Sequence, residues 1–154
     1  MKILLLYATN SGGTFQASQT IESILIQHGH TVDVKTPLDI DPQTLSTFDF
    51  VILGSPSWDL EDKEGQPHED FVTFMKKCEA IKLPNLKFAV FGLGDTYYQH
   101  FCGAVSILEN FVKDKEGELI VPSLKIDGYY ANLDSSTILL NDWTSKLVKT
   151  LLPG

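Results

Sequence analysis

Two patterns of apolar and polar positions alternate along this chain. Short unbroken apolar runs predict strands that are buried on both faces, at residues 3–7, 50–54 and 87–91. Residues 31–35 alternate between apolar and polar side chains, which is typical of an edge strand. Residues 119–126 predict a fifth strand, and Pro122 within it indicates an edge or bulged position.

Between these runs, apolar residues recur every three or four positions, as they do on the buried face of a helix. Helices are predicted at residues 14–28, 69–81, 101–115 and 133–152. The first helix is expected to end at Gly29, and its predicted inward face consists of Phe15, Ser18, Ile21 and Leu25. In the connection over residues 37–49, Pro42 indicates the start of a short helix.

Strands that alternate with helices, with apolar inner strands, predict a parallel sheet covered by helices on both faces. Five strands suit the doubly wound order 2-1-3-4-5, so we predict a single α/β domain over residues 1–154. In that order the first and third strands diverge, and ligands bind beyond their carboxyl ends. Three segments reach this edge, which we call the first loop (8–14), the second loop (55–67) and the third loop (92–101). We expect them to form one site.

The composition is that of a globular protein, with 43% hydrophobic and 21% charged residues. The formal net charge of −8 argues against nucleic acid, which requires clustered basic residues, and favours protein partners with basic docking patches. No segment predicts a membrane span, and Met1 and Lys2 lead directly into a strand without a signal-peptide pattern. The two separated cysteines suit a reducing, cytoplasmic setting, and we expect a monomer.

The first loop has the composition of an anion site at the start of a helix. It contains Thr9, Asn10, Ser11, Gly12, Gly13 and Thr14. Helix-terminal amides bind anions, and glycines allow a ligand to approach closely. Because no Lys or Arg lies between Ala8 and Gln27, a phosphate would be held by amides and hydroxyls alone. The alternative is an ordinary turn in which Ser11 or Thr9 caps the helix.

The second and third loops each carry an aromatic residue at a glycine-rich or proline-interrupted strand end. Trp58 would be exposed unless a ring stacks on it, and Tyr98 could form a second ring wall. The alternatives are a tryptophan that folds back on its own domain and a glycine-rich turn with surface tyrosines.

Three motifs together resemble the flavodoxin family, and the likeness covers essentially the whole chain. They are T-N-S-G-G-T over residues 9–14, the Trp-bearing second loop, and G-L-G-D-x-x-Y-x-x-F-C-G-A over residues 92–104. The segment L-K-I-D-G over residues 124–128 is also similar, and the last strand lacks the insertion of long-chain members. The resemblance implies a short-chain flavodoxin that binds FMN.

By this resemblance, the first loop holds the FMN phosphate, and Trp58 and Tyr98 enclose the flavin ring. The other expected cofactor contacts are Ser55, Pro56, Ser57, Asp59, Leu93, Gly94, Asp95, Phe101 and Cys102. Family members commonly rotate the peptide beside the stacking tryptophan on reduction, and many have Gly or Asn at the next position. This chain has Asp59, a departure that makes the rotation more costly.

The resemblance implies a low-potential one-electron carrier, not an enzyme, which exchanges electrons with redox proteins such as a ferredoxin-type NADP reductase. A set of acidic residues is expected to lower the potential: Asp59, Glu61, Asp62, Glu64 and Asp95. One alternative is a flavodoxin-like quinone or nitro-compound reductase that uses a nicotinamide donor, although two ring walls would block an open flavin face. Another is a flavin-free regulatory or scaffold module.

Other chemistries have little support in the sequence. A response-regulator receiver would need acidic residues after the first strand and a phosphoacceptor aspartate after the third. No hydrolase motif surrounds Ser55, and the four histidines show no paired pattern. His68 and His100, near the rim, are expected to have surface roles. Cys102 is expected to be a packed thiol at a helix start and Cys78 a core residue, and no metal-ligand spacing is present.

Overall fold

The computed structural model describes residues 1–9, 12–60, 63–94 and 102–152, with residues 58–60, 63 and 64 described by their backbone alone. Four α-helices lie in this part of the chain: α1 (Gly13–Gln27), α2 (Glu69–Lys77), α3 (Gly103–Asp114) and α4 (Leu133–Leu151). A short 3-10 helix covers Pro42–Thr47, and Asp41 caps it by accepting a hydrogen bond from the Gln43 amide at 3.0 Å. The predicted short helix at Pro42 is therefore confirmed.

The main sheet is parallel and has the predicted doubly wound order. Its strands are β1 (Lys2–Tyr7), β2 (Thr31–Lys35), β3 (Phe50–Pro56), β6 (Lys87–Gly94), β7 (Glu118–Leu119) and β8 (Leu124–Asp127). They follow the order β2-β1-β3-β6-β7, and β8 also pairs with β6. The fifth position of the sheet is thus shared by two short strands, β7 and β8.

The interruption between β7 and β8 coincides with Pro122, as the sequence predicts for an edge position. Proline cannot donate a hydrogen bond to a neighbouring strand. Its carbonyl instead accepts a hydrogen bond from the Trp143 indole in α4, at 2.9 Å. The break in the strand is therefore tied to the helix that covers it.

Two hydrophobic clusters lie on opposite faces of the sheet. One contains α1 and α4 residues, including Ile21 and Trp143, and the other contains α2 and α3 residues, including Phe74 and Leu108. Helices on both faces explain why the inner strands carry no polar side chain between their first residues and the carboxyl edge. Cys78 is completely buried in the second cluster, as predicted, and burial raises the pKa of its thiol to about 11.

Two details of the predicted helices are wrong. Phe15 was expected to face inward, but it is 39% exposed and packs against the Tyr7 ring with the centroids 5.5 Å apart. The second helix ends at Lys77, four residues earlier than predicted. The carbonyls of Cys78 and Glu79 are hydrogen-bonded to the buried Lys115 ammonium, which satisfies this helix end from outside the helix.

The second loop contains an antiparallel hairpin that the sequence did not predict. It consists of β4 (Trp58–Leu60) and β5 (Lys63–Gln66). Among the described helices, none is long and apolar enough to cross a membrane.

Candidate functional site

The described parts of the three loops meet at the carboxyl edge of the sheet, where we expected one site. The Ala8 amide donates to the Gly54 carbonyl at 3.1 Å, which links the ends of β1 and β3. The Ser57 amide donates to the Leu93 carbonyl at 2.9 Å, which links the second and third loops. A Cβ on Gly13 would lie 3.1 Å from Leu93 Cδ2, so the first loop also contacts the third.

The first loop leads into the start of α1, where the N-cap residue provides no side-chain cap. α1 starts at Gly13, and the N-cap residue Gly12 has a φ of +91°, a left-handed conformation that glycine adopts most easily. Thr9 Oγ1 accepts the Gly12 amide at 2.8 Å, which fixes the loop through the amide of the N-cap residue and not through an amide inside α1. Gly12, the N-cap residue, has no side chain that could cap the helix, and no acidic residue lies in the first turn. The first amides of α1 form a donor set suited to an anion.

Thr14 lies in the first turn of α1 and is almost completely buried. Its carbonyl accepts a hydrogen bond from the Ser18 hydroxyl at 2.8 Å, within the helix. In the ordinary alternative, Ser11 or Thr9 caps the helix. Thr9 does not, because its hydroxyl accepts the amide of the N-cap residue itself. Ser11 lies outside the described residues, so a cap by Ser11 is not tested. A contact between the Thr14 hydroxyl and a ligand stays a prediction.

Ser57 connects the second loop to α3. Its hydroxyl oxygen accepts a hydrogen bond from the Ala104 amide, at 2.9 Å. Ala104 is the second residue of α3, and the N-cap residue Cys102 makes no side-chain capping bond. Ser57 therefore caps α3 from a different segment of the chain. The hairpin also packs closely against the start of α3, because a Cβ on Gly103 would lie 2.5 Å from the Gly65 carbonyl oxygen.

Ser55 and Pro56 end β3 beneath the hairpin. The Ser55 side chain is completely buried, donates to the Pro56 carbonyl at 2.8 Å, and accepts the His68 amide at 3.0 Å. His68, expected on the surface, is only 9% exposed and is the N-cap of α2, with Nδ1 accepting the Asp70 amide at 3.0 Å. The prediction for His68 is therefore wrong, because its ring performs a capping function.

Cys102 lies beneath the rim. It is nearly completely buried, and its φ of +50° is unusual for a residue with a side chain. The thiol donates to the Gly92 carbonyl at 3.7 Å and the Ile126 carbonyl at 4.0 Å, linking β6 to β8. Burial raises the pKa of this thiol to about 12, so it is protonated at neutral pH. The expectation of a packed thiol is confirmed.

Several predicted site residues fall outside the described part of the chain: Asn10, Ser11, Glu61, Asp62, Asp95, Tyr98 and Phe101. For Trp58 and Asp59 the backbone alone is described, in β4, where Trp58 pairs with Gln66. The two ring walls and most of the acidic residues therefore stay predictions. Within residues 1–9, 12–60, 63–94 and 102–152, no group of three or more His, Cys, Asp or Glu side chains could hold a metal ion.

Sequence reasoning missed two tyrosines that follow β8. Tyr129 is buried and Tyr130 is half exposed, and their rings meet edge to face with centroids 5.3 Å apart. A Cβ on Gly13 would lie 3.4 Å from an atom of each ring. The turn is held against β6 by the Gly128 amide, which donates to the Gly94 carbonyl at 2.9 Å. The available signal was their position directly after the recognised segment over residues 124–128.

Comparison with known proteins gives consistent results. The family model described as flavodoxin matches residues 5–136. The probable flavodoxin 2 of Bacillus subtilis is 39% identical over 127 residues, which cover 82% of each chain. The crystal structure of oxidised flavodoxin 2 from Bacillus cereus is 30% identical, with a TM-score of 0.84, and the alignment covers 98% of this chain and 100% of that one. A Fusobacterium nucleatum flavodoxin bound to flavin mononucleotide shares the fold at 20% identity, with a TM-score of 0.81 over 96% of this chain and 97% of that one.

Proposed function

The chain belongs to the flavodoxin family, and on that premise we propose that it is an FMN-dependent, low-potential one-electron carrier between redox partner proteins. Bound FMN supplies the redox chemistry, since it accepts and releases single electrons. The observation that carries the proposal is the start of α1, where the N-cap residue is Gly12 and provides no side-chain cap, at the edge where the first, second and third loops meet. Nothing in the comparisons favours the quinone or nitro-compound reductase.

The described residues fit the phosphate of FMN. The first turn of an α-helix has amides without partners inside the helix, and here the N-cap residue is a glycine, which has no side chain to bind them. The Gly12 conformation is fixed by Thr9, so the donors are already arranged before an anion binds. In our proposal these amides bind the phosphate, and the Thr14 hydroxyl adds a hydrogen bond.

We further propose that the second and third loops bind the flavin ring. Their backbones are held together by the bond between Ser57 and Leu93, and α3 is capped by Ser57. Trp58 and Tyr98 would then cover the two faces of the ring, while the backbone near Gly94 and Cys102 meets its edge. Covering both faces excludes water, which disfavours added negative charge on the ring.

A second contribution to a low potential comes from the charge of the protein. The chain has a formal net charge of −8 and contains no arginine, and the first loop carries no cation. Two negative charges about 6 Å apart repel by about 3 kcal/mol at an effective dielectric constant near 20, before salt screening. Acidic residues around the cofactor would thus oppose the second electron and attract partners with basic docking patches.

The test is to purify the protein and measure its bound cofactor and electron transfer. We expect one FMN per chain, released by acid and identified chromatographically, and two separate one-electron steps in a redox titration. Reduction by NADPH should require a ferredoxin-type NADP reductase, and its rate should fall as salt concentration rises. Absence of flavin binding, or rapid direct oxidation of NADPH, would contradict the proposal.

A further inference from the structure

Tyr129 and Tyr130, which follow β8, lie beside the glycines of the proposed phosphate site. A Cβ on Gly12 would lie 3.2 Å from the Tyr130 hydroxyl oxygen, and one on Gly13 would lie 3.4 Å from Tyr130 Cε2. The Tyr130 side chain therefore packs on the first residues of α1, with its hydroxyl beside Gly12 and its ring beside Gly13. This contact joins residues that are more than a hundred positions apart in the sequence.

The Tyr130 ring is itself held in place. Tyr129 is 7% exposed and belongs to the hydrophobic cluster beneath α1 and α4, and its ring meets that of Tyr130 edge to face. The turn that carries both tyrosines is fixed at each end, since the Gly128 amide binds the Gly94 carbonyl and the Asn132 amide binds the Gly128 carbonyl at 3.0 Å. A ring on such a turn can restrain the segment that it touches.

The restrained segment needs support. Gly12 has a φ of +91°, and glycine loses more conformational freedom on folding than any other residue. The two consecutive glycines that open α1 have no side chains of their own to hold them in place. The Thr9 hydroxyl binds the loop from one side, and the Tyr130 ring contacts it from another.

We propose that Tyr130 is a positioning residue for the cofactor phosphate: its ring holds Gly12 and Gly13 so that the first amides of α1 point at the anion. This inference rests on the proposed function, because it concerns FMN. It adds a fourth segment, the turn after β8, to a site that the sequence predicts from three loops. The contact of the ring with Gly13, which Tyr130→Phe keeps, carries most of the effect.

The main test compares FMN and riboflavin, which lacks the phosphate, by fluorescence titration of the apoprotein. Tyr130→Ala should weaken FMN binding about five- to tenfold and change riboflavin binding less than about twofold. Tyr130→Phe keeps the ring and should bind FMN within about twofold of the parent protein. Leu133→Ala, which also removes a half-exposed apolar side chain from the start of α4, is the matched control and should have no effect.

A second measurement uses the contact with Gly12 and does not require removal of the ring. Gly12→Ala should weaken FMN binding more in the parent protein than in Tyr130→Phe, because the variant lacks the hydroxyl that meets the new methyl group. The backbone strain at positive φ remains in both backgrounds. Equal losses in the two backgrounds would place Tyr130 away from the loop.

The proposal is overturned if Tyr130→Ala leaves FMN affinity unchanged, if it weakens FMN and riboflavin equally, or if Tyr130→Phe behaves like Tyr130→Ala. Failure of the proposed function gives a different result. In that case the parent protein itself would bind no flavin or would oxidise NADPH directly, and the variants at Tyr130 would not be needed to show it.

Discussion

The hydrogen bond from the Ala104 amide to the Ser57 hydroxyl gives the sharpest prediction about the structure without cofactor. Ser57→Ala removes the acceptor that caps α3, and the N-cap side chain of that helix does not replace it. Loss of a capping hydroxyl costs about 1 kcal/mol, within a range of roughly 0.5–2 kcal/mol. For a chain of 154 residues this corresponds to a fall in Tm of about 2–4 °C for each kcal/mol. Urea unfolding of the apoprotein, followed by circular dichroism, measures the free energy directly.

Two controls separate the capping bond from the loss of a hydroxyl in general. Ser57→Thr keeps an acceptor oxygen and should recover most of the stability. Thr47→Ala removes an exposed hydroxyl that donates to the Thr44 carbonyl in the 3-10 helix, and should change stability by less than about 0.5 kcal/mol. If Ser57→Ala unfolds at the same urea concentration as the parent protein, the hydroxyl does not cap α3 and the reasoning is refuted.

Four further predictions concern the cofactor and the thiols. Thr14→Ala should lower FMN affinity about tenfold and leave riboflavin affinity nearly unchanged, since it removes a charge-assisted hydrogen bond of roughly 1.5–3 kcal/mol; equal losses by fluorescence titration would refute that role. Trp58→Ala should weaken FMN binding by roughly 1 kcal/mol and raise the potential of the second electron by admitting water, and a redox titration without either change would place the ring elsewhere. Asp59→Gly should raise the potential of the first electron by tens of millivolts, because relief of roughly 1.4 kcal/mol of backbone cost corresponds to about 59 mV; if Asp59→Asn gives the same shift, charge and not strain is the cause. Cys102, with a pKa of about 12 compared with the ordinary 9.0, should react with iodoacetamide at pH 8 roughly a thousandfold more slowly than a thiol of ordinary pKa, and the rate should rise with pH up to that value or on unfolding.

The fold was predictable because the strands differ so clearly from the helices in their apolar pattern. β1, β3 and β6 are buried on both faces, so no polar residue interrupts them until the carboxyl edge. The break at Pro122 was visible for a chemical reason, the missing amide hydrogen. The strand order itself came from the general preference for doubly wound sheets, and the structure confirms it.

The hairpin of β4 and β5 could not be predicted in the same way. Its residues are mostly polar and include Gly65 at a φ of +76°, a pattern that is also typical of an irregular loop. The error at Phe15 has a similar origin, since helical spacing does not distinguish a core position from one at the end of the helix, where the Tyr7 ring covers one side only. His68 was misassigned because capping by a ring nitrogen has no simple sequence signal.

In the candidate site, too, local features could be predicted from the sequence and contacts between distant segments could not. Local features, such as the glycines of the first loop and the position of Cys102 at the start of α3, were recognisable because the neighbouring sequence indicates them. Contacts between distant segments were not, since nothing near Gly12 in the sequence indicates that Tyr130 lies against it. The same holds for the hydroxyl of Ser57, whose partner is Ala104.

The contact between the two tyrosines and Gly13 also bears on how the protein is made. The first loop and all of β1, β2 and β3 are complete once residue 56 has been added. The side chains that cover Gly13, however, come from residues 93, 129 and 130. Proteins are made from the amino terminus, and structure forms in that order where it can. The segment that we expect to bind the phosphate is therefore made well before the side chains that enclose it. We therefore expect the enclosed form of this segment to require all residues up to Tyr130.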